Sequence, residues 1–399
     1  MRVLVDGLSV RSLSGQHVLL GHLRQLAHWT LAEHEFVLLH DWTQADWVKN
    51  LPENVHLACV HRSLAHWARR ALWQTWTLPR LLKDWHVDIV FTTAGCVLPR
   101  CYVPQVSLAQ NPWCLMPCVH KHGLEKQKAA IQRRAYRQAM QQAALMVYNS
   151  KHMRDLYRKN GGGATERASE IVYQAIDGDA HERGATLCKE SANQPGLILS
   201  VSVMAPWKGA DVLVEALAIL HRGGCRARLR LVGPWPDRDY EGLVHRKISM
   251  HRLESFVTVT GKVSREELYR HYAEAHVFCL MSQCESFGIP AVEAQAFATP
   301  VVGSSTCAMP EVCGEGGVFG EPGQPAQTAE LLGEILENPP TWRALSDRAR
   351  RNAARYRWEL CSRPLLKMFG VNGGRTPASG RLCADSDHRE AIPVKTLGI

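Results

Sequence analysis

Glu285 and Glu293 are separated by seven residues, with a Phe287-Gly288 step and Pro290 between them, and Lys208 heads a separate Lys-Gly turn. Residues 276–280 are apolar and read as a strand, so Glu285 falls in the loop that follows it. Proline suits the first turn of a helix, where its missing N–H has no partner to lose, and a helix is expected to start near Ile289. Its first turn leaves N–H groups unpaired and carries the positive end of the macrodipole, which makes the loop Ser286, Phe287, Gly288, Ile289 a seat for a phosphate or diphosphate. Carboxylates touching that anion would repel it, so Glu285 and Glu293 are expected to accept hydrogen bonds from hydroxyls on either side. A ribose and a hexose flanking a diphosphate meet that geometry. The plainer reading puts Glu293 in the first helical turn as a complement to the dipole, worth about 0.3–1 kcal/mol, and Glu285 in solvent. Spacing alone does not choose between the two.

Strands and helices must hold these groups. Residues 2–6 are a short apolar strand, followed by a Gly/Ser loop with Gly15 and a helical pattern over about 16–30. That is the opening of a doubly wound domain, although GxGxxG is absent. Residues 35–40 and 144–150 read as further strands, and 87–94 and 103–112 as strands ending in loops, with a Trp-rich helix over about 64–82 and a basic helix over 121–144. Gln110 and Asn111 then lie beyond a strand's carboxyl end, where ligands of such sheets sit. Ser150 reads as an N-cap for the helix after it. A second α/β unit opens at Gly196: a strand, the Lys208-Gly209 turn and an amphipathic helix through Val212, Val214, Leu217 and Leu220. At that turn an ammonium meets phosphate oxygens as a point charge. Strands over 228–233 and 257–263 follow, then a capping box of Ser264 and Glu267 and helices over about 326–337 and 342–356. The polar run 180–195 has the composition of a linker, and residues from 371 onward that of a disordered tail.

Residues 281–310 resemble the retaining glycosyltransferases of family 4, whose signature reads ESFGxPxxEAxAxGxP. Glu285, Phe287, Gly288, Pro290, Glu293, Ala294, Ala296 and Pro300 match, and the family's glycine before Thr-Pro is Ala298. The resemblance, which extends over about residues 1–365, implies the α/β GT-B fold, two Rossmann-like doubly wound domains facing each other across a cleft. It implies an acceptor-side domain over 1–180, a nucleotide-sugar-binding domain over 181–356 and a closing helix over 357–370 that returns to the first domain, ahead of the tail, 371–399. It further implies that Glu285 faces the donor sugar and Glu293 the ribose, and that Gly15 approaches the diphosphate. The backbone of Gly261 to Val263 would meet the base. Lys208 matches the family's GR…KG pattern, but Val203 stands in the place of its arginine. Many relatives have a histidine where this chain has Gln110-Asn111, which implies a hydrogen-bonding and not a proton-transferring role for Asn111. The implied activity is transfer of a sugar, with retention, from a UDP- or GDP-linked donor to a hydroxyl of a glycan or lipid-linked acceptor in bacterial cell-surface polysaccharide or lipopolysaccharide synthesis.

The 399 residues exceed what one core supports, so two domains are expected. The 46% hydrophobic and 21% charged residues describe a soluble globular chain. The 13 cysteines form no CxxC pair and the N-terminus does not read as a secretory leader, so the expected location is the cytoplasm or the inner face of the cytoplasmic membrane. No window is long and apolar enough to span a bilayer. The net charge of +9 is concentrated: residues 61–160 hold 16 Lys+Arg against 4 Asp+Glu. Together with Trp67, Trp73, Trp76 and Trp113 this suggests an anionic membrane surface as partner; tryptophans in the core and solvated arginines are the plain alternative. The Asp-x-Asp pairs 177/179, 237/239 and 385/387 lie away from the phosphate loop, so neither an essential metal nor a cofactor beyond the donor is expected. A nucleotide-sugar epimerase and a basic nucleic-acid-binding protein remain as competitors. The second gives no reason for Lys208, Glu285 and Glu293 to stand where they do, so no nucleic acid is expected.

Overall fold

The computed structural model describes residues 1–371 except 121 and 191–193; the tail expected from 371 onward otherwise lies outside the described residues. Strands β1 (Arg2–Asp6), β2 (Glu35–Asp41), β3 (Val55–Val60), β4 (Ile89–Thr92), β5 (Gln105–Ala109), β6 (Leu145–Tyr148) and β7 (Ser169–Ile171) form a parallel sheet in the order β3-β2-β1-β4-β5-β6-β7. A second parallel sheet has the order β10-β9-β8-β11-β12-β13. Its strands are β8 (Leu197–Val201), β9 (Arg228–Val232), β10 (Val257–Gly261), β11 (Val277–Leu280), β12 (Val301–Ser304) and β13 (Gly317–Gly320). Both sheets are doubly wound, as expected. Side chains alternate between two covered faces, the period of a strand: Val3 and Val5 enter one core cluster and Leu4 another, while Val277 and Cys279 face away from Phe278 and Leu280. Burial on both faces is why these strands read as continuous apolar runs.

Around the first sheet pack α1 (Leu13–Trp29), α2 (Trp67–Trp76), α3 (Leu78–Asp84), α4 (Gly123–Gln142) and α5 (Lys151–Asn160). The Trp-rich stretch is two helices rather than one, because Pro79 cannot sit inside a helix and instead occupies the first turn of α3. After β7 comes α6 (Gly178–Glu190), where the polar composition had suggested a linker. The small residues Ala180 and Gly184, one turn apart, allow it: Ala180 is fully buried, and a Cβ on Gly184 would lie 2.4 Å from the Ala296 carbonyl oxygen. Sequence composition registered its solvated outer face and missed this narrow inner one.

Around the second sheet lie α7 (Ala210–Arg222), α8 (Arg238–Met250), α9 (Arg265–Glu274), α10 (Ile289–Ala296), α11 (Met309–Cys313), α12 (Pro325–Glu337) and α13 (Pro339–Ala353). The chain then returns to the first half. Trp358, which opens α14 (Trp358–Cys361), lies over Gly21 of α1, and Leu365 and Met368 enter the first sheet's core.

Ala298, at the place of the signature's last glycine, has φ +56°. Its N–H donates to the Gln295 carbonyl at 2.9 Å and its own carbonyl accepts from the Ser346 hydroxyl at 2.7 Å, so the turn keeps its shape despite the Cβ. A left-handed alanine costs about 1–2 kcal/mol, of which glycine's freer unfolded chain returns about 0.4–1 kcal/mol. Ala298→Gly is therefore expected to raise the calorimetric transition temperature slightly; a lower one would show that the turn carries no strain.

Candidate donor site

The carboxyl ends of β8 and β11 are neighbours at the point where strand order reverses in the second sheet, the crevice in which α/β sheets take ligands. After β8 the chain makes a short 3-10 turn, Pro206–Lys208, and enters α7 through Gly209 at φ +75°. A Cβ at Gly209 would fall 2.8 Å from the Met281 carbonyl oxygen, so only glycine lets this turn lie against the end of β11. Gln283 N–H donates to the Trp207 carbonyl at 2.8 Å and ties the two loops together. The result is a hydrogen-bonded ion pair between Lys208 Nζ and Glu285 Oε1, with side chains only 17% and 14% exposed. Glu285 is thus no solvated loop residue. Val203 is 53% exposed, an apolar side chain where the family places a cation.

Beside this pair, α10 begins after Gly288, at φ +98°, and no side chain caps it. Its open end therefore faces the loop that holds Glu285, the geometry of an anion seat. Phe287 is fully buried against Tyr173 and Tyr356, so the site can use only its backbone; Ile289 packs between the cores of the two halves. Glu293 is the fifth residue of α10, beyond the first turn in which it was expected. The dipole explanation fails there, because that effect fades within the first turn. Instead Glu293 is buried and accepts a hydrogen bond from the Tyr272 hydroxyl at 2.9 Å. Burial pushes its carboxyl above the usual range, against the hydrogen bond from Tyr272 and the charges of His17 and Arg265.

The first half reaches this site through residues that the sequence did not single out as functional. Asn149 Nδ2 donates to Ser286 Oγ at 3.0 Å, and Ser150 Oγ donates to the Ser286 carbonyl at 2.8 Å. Ser150 also caps α5, as expected, by accepting from Met153 N–H at 3.0 Å. The Glu311 carboxylate accepts the N–H groups of Lys151 and His152 at 2.7 and 2.9 Å and the Tyr173 hydroxyl at 2.9 Å. Nearby, Asp177 pairs with Arg265 and lies 3.4 Å from His17 Nδ1. A cavity of about 780 Å³ runs past His17, Asp177, Arg265 and Trp358. The signal for these contacts was slight: a Ser-Lys pair after a strand and a Pro-Glu pair late in the chain each look like ordinary helix starts.

Other expected residues stand apart from the ion pair. Gly15 lies in the first turn of α1, its N–H already donated to Ser12 Oγ at 3.1 Å. Asn111 follows β5, but its contacts are local: Oδ1 accepts from Trp113 N–H at 3.0 Å and its carbonyl from the Tyr136 hydroxyl at 3.2 Å. Gly261 has φ +68° with open space where a Cβ would be, and Val263 is half-buried against the core. Among the described residues, no group of three His, Cys, Asp or Glu side chains could hold a metal ion. Asp237 caps α8, and the 385/387 pair lies outside the described residues.

Residues 189–353 match the family model of glycosyl transferases group 1. Over 177 residues the chain is 35% identical to the MMP alpha-(1->4)-mannosyltransferase of Mycolicibacterium hassiacum, covering 43% of this chain and 42% of that enzyme. The O-antigen chain mannosyltransferase B of Escherichia coli is 30% identical over 179 residues, 44% of this chain and 45% of the other. Both matches span less than half the length of these relatives. Anabaena HepE in complex with UDP and glucose superimposes with a TM-score of 0.71 at 17% identity, covering 93% of this chain and 100% of that one. At that identity the likeness speaks for the fold. Residues 189–353 are therefore similar to a glycosyl transferases group 1 domain, and the two parallel sheets of the chain have the GT-B fold.

Proposed function

We propose that this protein is a retaining glycosyltransferase that moves a sugar from a UDP- or GDP-linked donor to a hydroxyl of a glycan or lipid-linked acceptor. The Lys208–Glu285 pair, at the switch point and beside the open end of α10, carries the reading. The transition state is a sugar cation parting from a diphosphate. Charge then develops on the leaving oxygens, which Lys208 and the N–H groups at the start of α10 are placed to stabilise. Glu285 holds the ammonium, and its second oxygen orients the hexose; Glu293 accepts from the ribose hydroxyls. Contacts of Asn149 and Ser150 with Ser286 close the cleft around the diphosphate and exclude water that would hydrolyse the donor. Lys208 supplies the neutralising charge, so the reaction needs no essential metal.

The relatives' names, two mannosyltransferases among them, favour a hexose donor and cell-surface glycans. Among the described residues no helix is long and apolar enough to cross a membrane. We read α2 as the element that rests on an anionic one: none of its residues is buried, and Trp67, Leu72 and Trp76 are 59–67% exposed in a segment rich in arginine.

A panel of UDP, GDP and ADP sugars tests the reading, with binding measured by thermal shift and the product by proton NMR. One nucleotide class is expected to raise the melting temperature, by the equivalent of about 2.7 kcal/mol at 100 times its dissociation constant. The product's anomeric coupling should match the donor's, with EDTA without effect. Inversion at the anomeric carbon would sink the retaining mechanism, and no shift with any nucleotide would sink the donor site.

A further inference from the structure

The first sheet has a pocket of its own. Beyond the carboxyl ends of β2 and β3, a cavity of about 660 Å³ is lined by Thr43, His61, Arg62, Ser63, His66 and Arg69 among others. Its volume is that of a small-molecule site. No carboxylate lines it. The nearest one along the chain, Asp41, has a fully buried side chain and is already engaged by Arg11 and by Thr43, whose N–H and hydroxyl donate at 2.8 and 2.5 Å. Among the described residues Arg62 and Arg69, both exposed, have neither a hydrogen-bond nor an ion-pair partner, and both line the cavity together with the Ser63 hydroxyl; the Thr43 hydroxyl is already held between Asp41 and Arg11. Exposed indoles flank it: Trp42 lies 5.7 Å from the His61 ring, and Trp67 stacks on His66 at 6.2 Å.

We infer that this pocket binds the phosphate ester of the acceptor. The inference rests on the glycosyltransferase reading, which leaves the carboxyl edge of the first sheet to the acceptor. Guanidinium forks match the oxygens of phosphate, and several donors around one cavity suit a tetrahedral phosphate ester, singly or doubly charged, better than a planar carboxylate. The indole faces take the apolar face of an attached sugar. The ester belongs either to a soluble phosphorylated sugar or to a lipid headgroup presented beside α2, and the chemistry recognised is the same.

The test uses the full chain with two probes: sn-glycerol 3-phosphate by calorimetry, and sedimentation with phosphatidylcholine vesicles with and without phosphatidylglycerol. Four proteins are compared, the native chain, Arg62→Ala/Arg69→Ala, Lys126→Ala/Lys128→Ala as an equal loss of charge elsewhere, and Lys208→Ala. At least one probe is expected to bind and to weaken at least tenfold in the first double variant, with the other two unchanged. Binding of the soluble probe names a free phosphorylated sugar as the source; binding of phosphatidylglycerol vesicles alone names a lipid. Equal weakening by both double variants, loss in Lys208→Ala, or no binding of either probe would overturn the pocket. UDP binding in the same samples separates the two ideas: its survival with an inert pocket leaves the transferase reading standing, and its absence in the native chain removes that reading whatever the pocket does.

Discussion

Replacing Lys208 with alanine is expected to slow sugar transfer by about 10²–10³-fold at saturating donor, the loss of roughly 2.7–4 kcal/mol that follows removal of one preorganised donor to a developing oxyanion. The effect should lie toward the upper end, because Val203 leaves Lys208 without the second cation that the family signature pairs with it. Most of the loss belongs in kcat: charge on the leaving diphosphate is greater in the transition state than in the bound donor, so the ammonium matters most there. A second consequence follows from the ion pair. Without Lys208, the Glu285 carboxylate, 14% exposed, faces the arriving diphosphate unneutralised. Lys208→Ala/Glu285→Gln should therefore bind UDP more tightly than Lys208→Ala alone while remaining as slow. Steady-state rates and calorimetry on the two variants check this; a loss of less than tenfold in kcat would remove Lys208 from the chemistry.

Sequence gave access to this site unevenly, for physical reasons that differ from residue to residue. Glu285, Gly288 and Pro290 were legible because a strand end, a left-handed glycine and a helix-starting proline are local events, each with its own residue preference. Glu293 lies one turn further into its helix than local spacing implies, and the shift matters: within the first turn it would complement a dipole, while at the fifth residue it is buried against Tyr272 and needs another explanation. Tyr272 was missed because it lies 21 residues away on α9 and nothing in that helix's pattern distinguishes a tyrosine that donates to a carboxylate from one that fills the core. The contacts of Asn149 and Ser150 with Ser286 span 137 and 136 residues, and those of Lys151 and His152 with Glu311 span 160 and 159. Such pairings depend on how the two halves meet, which no periodicity encodes. For α6 the cause is the opposite: its composition is polar, while the spacing of Ala180 and Gly184, which lets it pack, is a local pattern in plain view.

Glu293→Gln is expected to make the fold more stable and the donor site weaker. Burial holds the Glu293 carboxyl above its ordinary range, with Tyr272, His17 and Arg265 opposing that rise only in part. The folded chain therefore keeps this proton at a pH where the unfolded chain, ionising near about 4.3, has lost it. As pH climbs from about 4.3 to the raised value the native protein loses stability by up to about 1.4 kcal/mol per pH unit, and above the raised value the loss is constant. Glutamine has no proton to lose. Below about pH 4 the two proteins should melt alike apart from the substitution's own packing change, and the variant should gain across the window and keep its advantage at pH 8. Its carbonyl still accepts from Tyr272, so the core is preserved. What remains toward the ribose is an amide in place of a carboxylate, and charge-assisted bonds worth about 1.5–3 kcal/mol are lost. UDP or GDP affinity should fall roughly tenfold to a hundredfold. Thermal melts from pH 4 to 9 and calorimetry with the nucleotide read both halves. A variant that melts below the native chain at pH 8, or binds the nucleotide equally well, would place Glu293 among the merely structural residues. Stability given up above the ordinary carboxylate range to keep an ionisable group buried is what a binding carboxylate at this position requires.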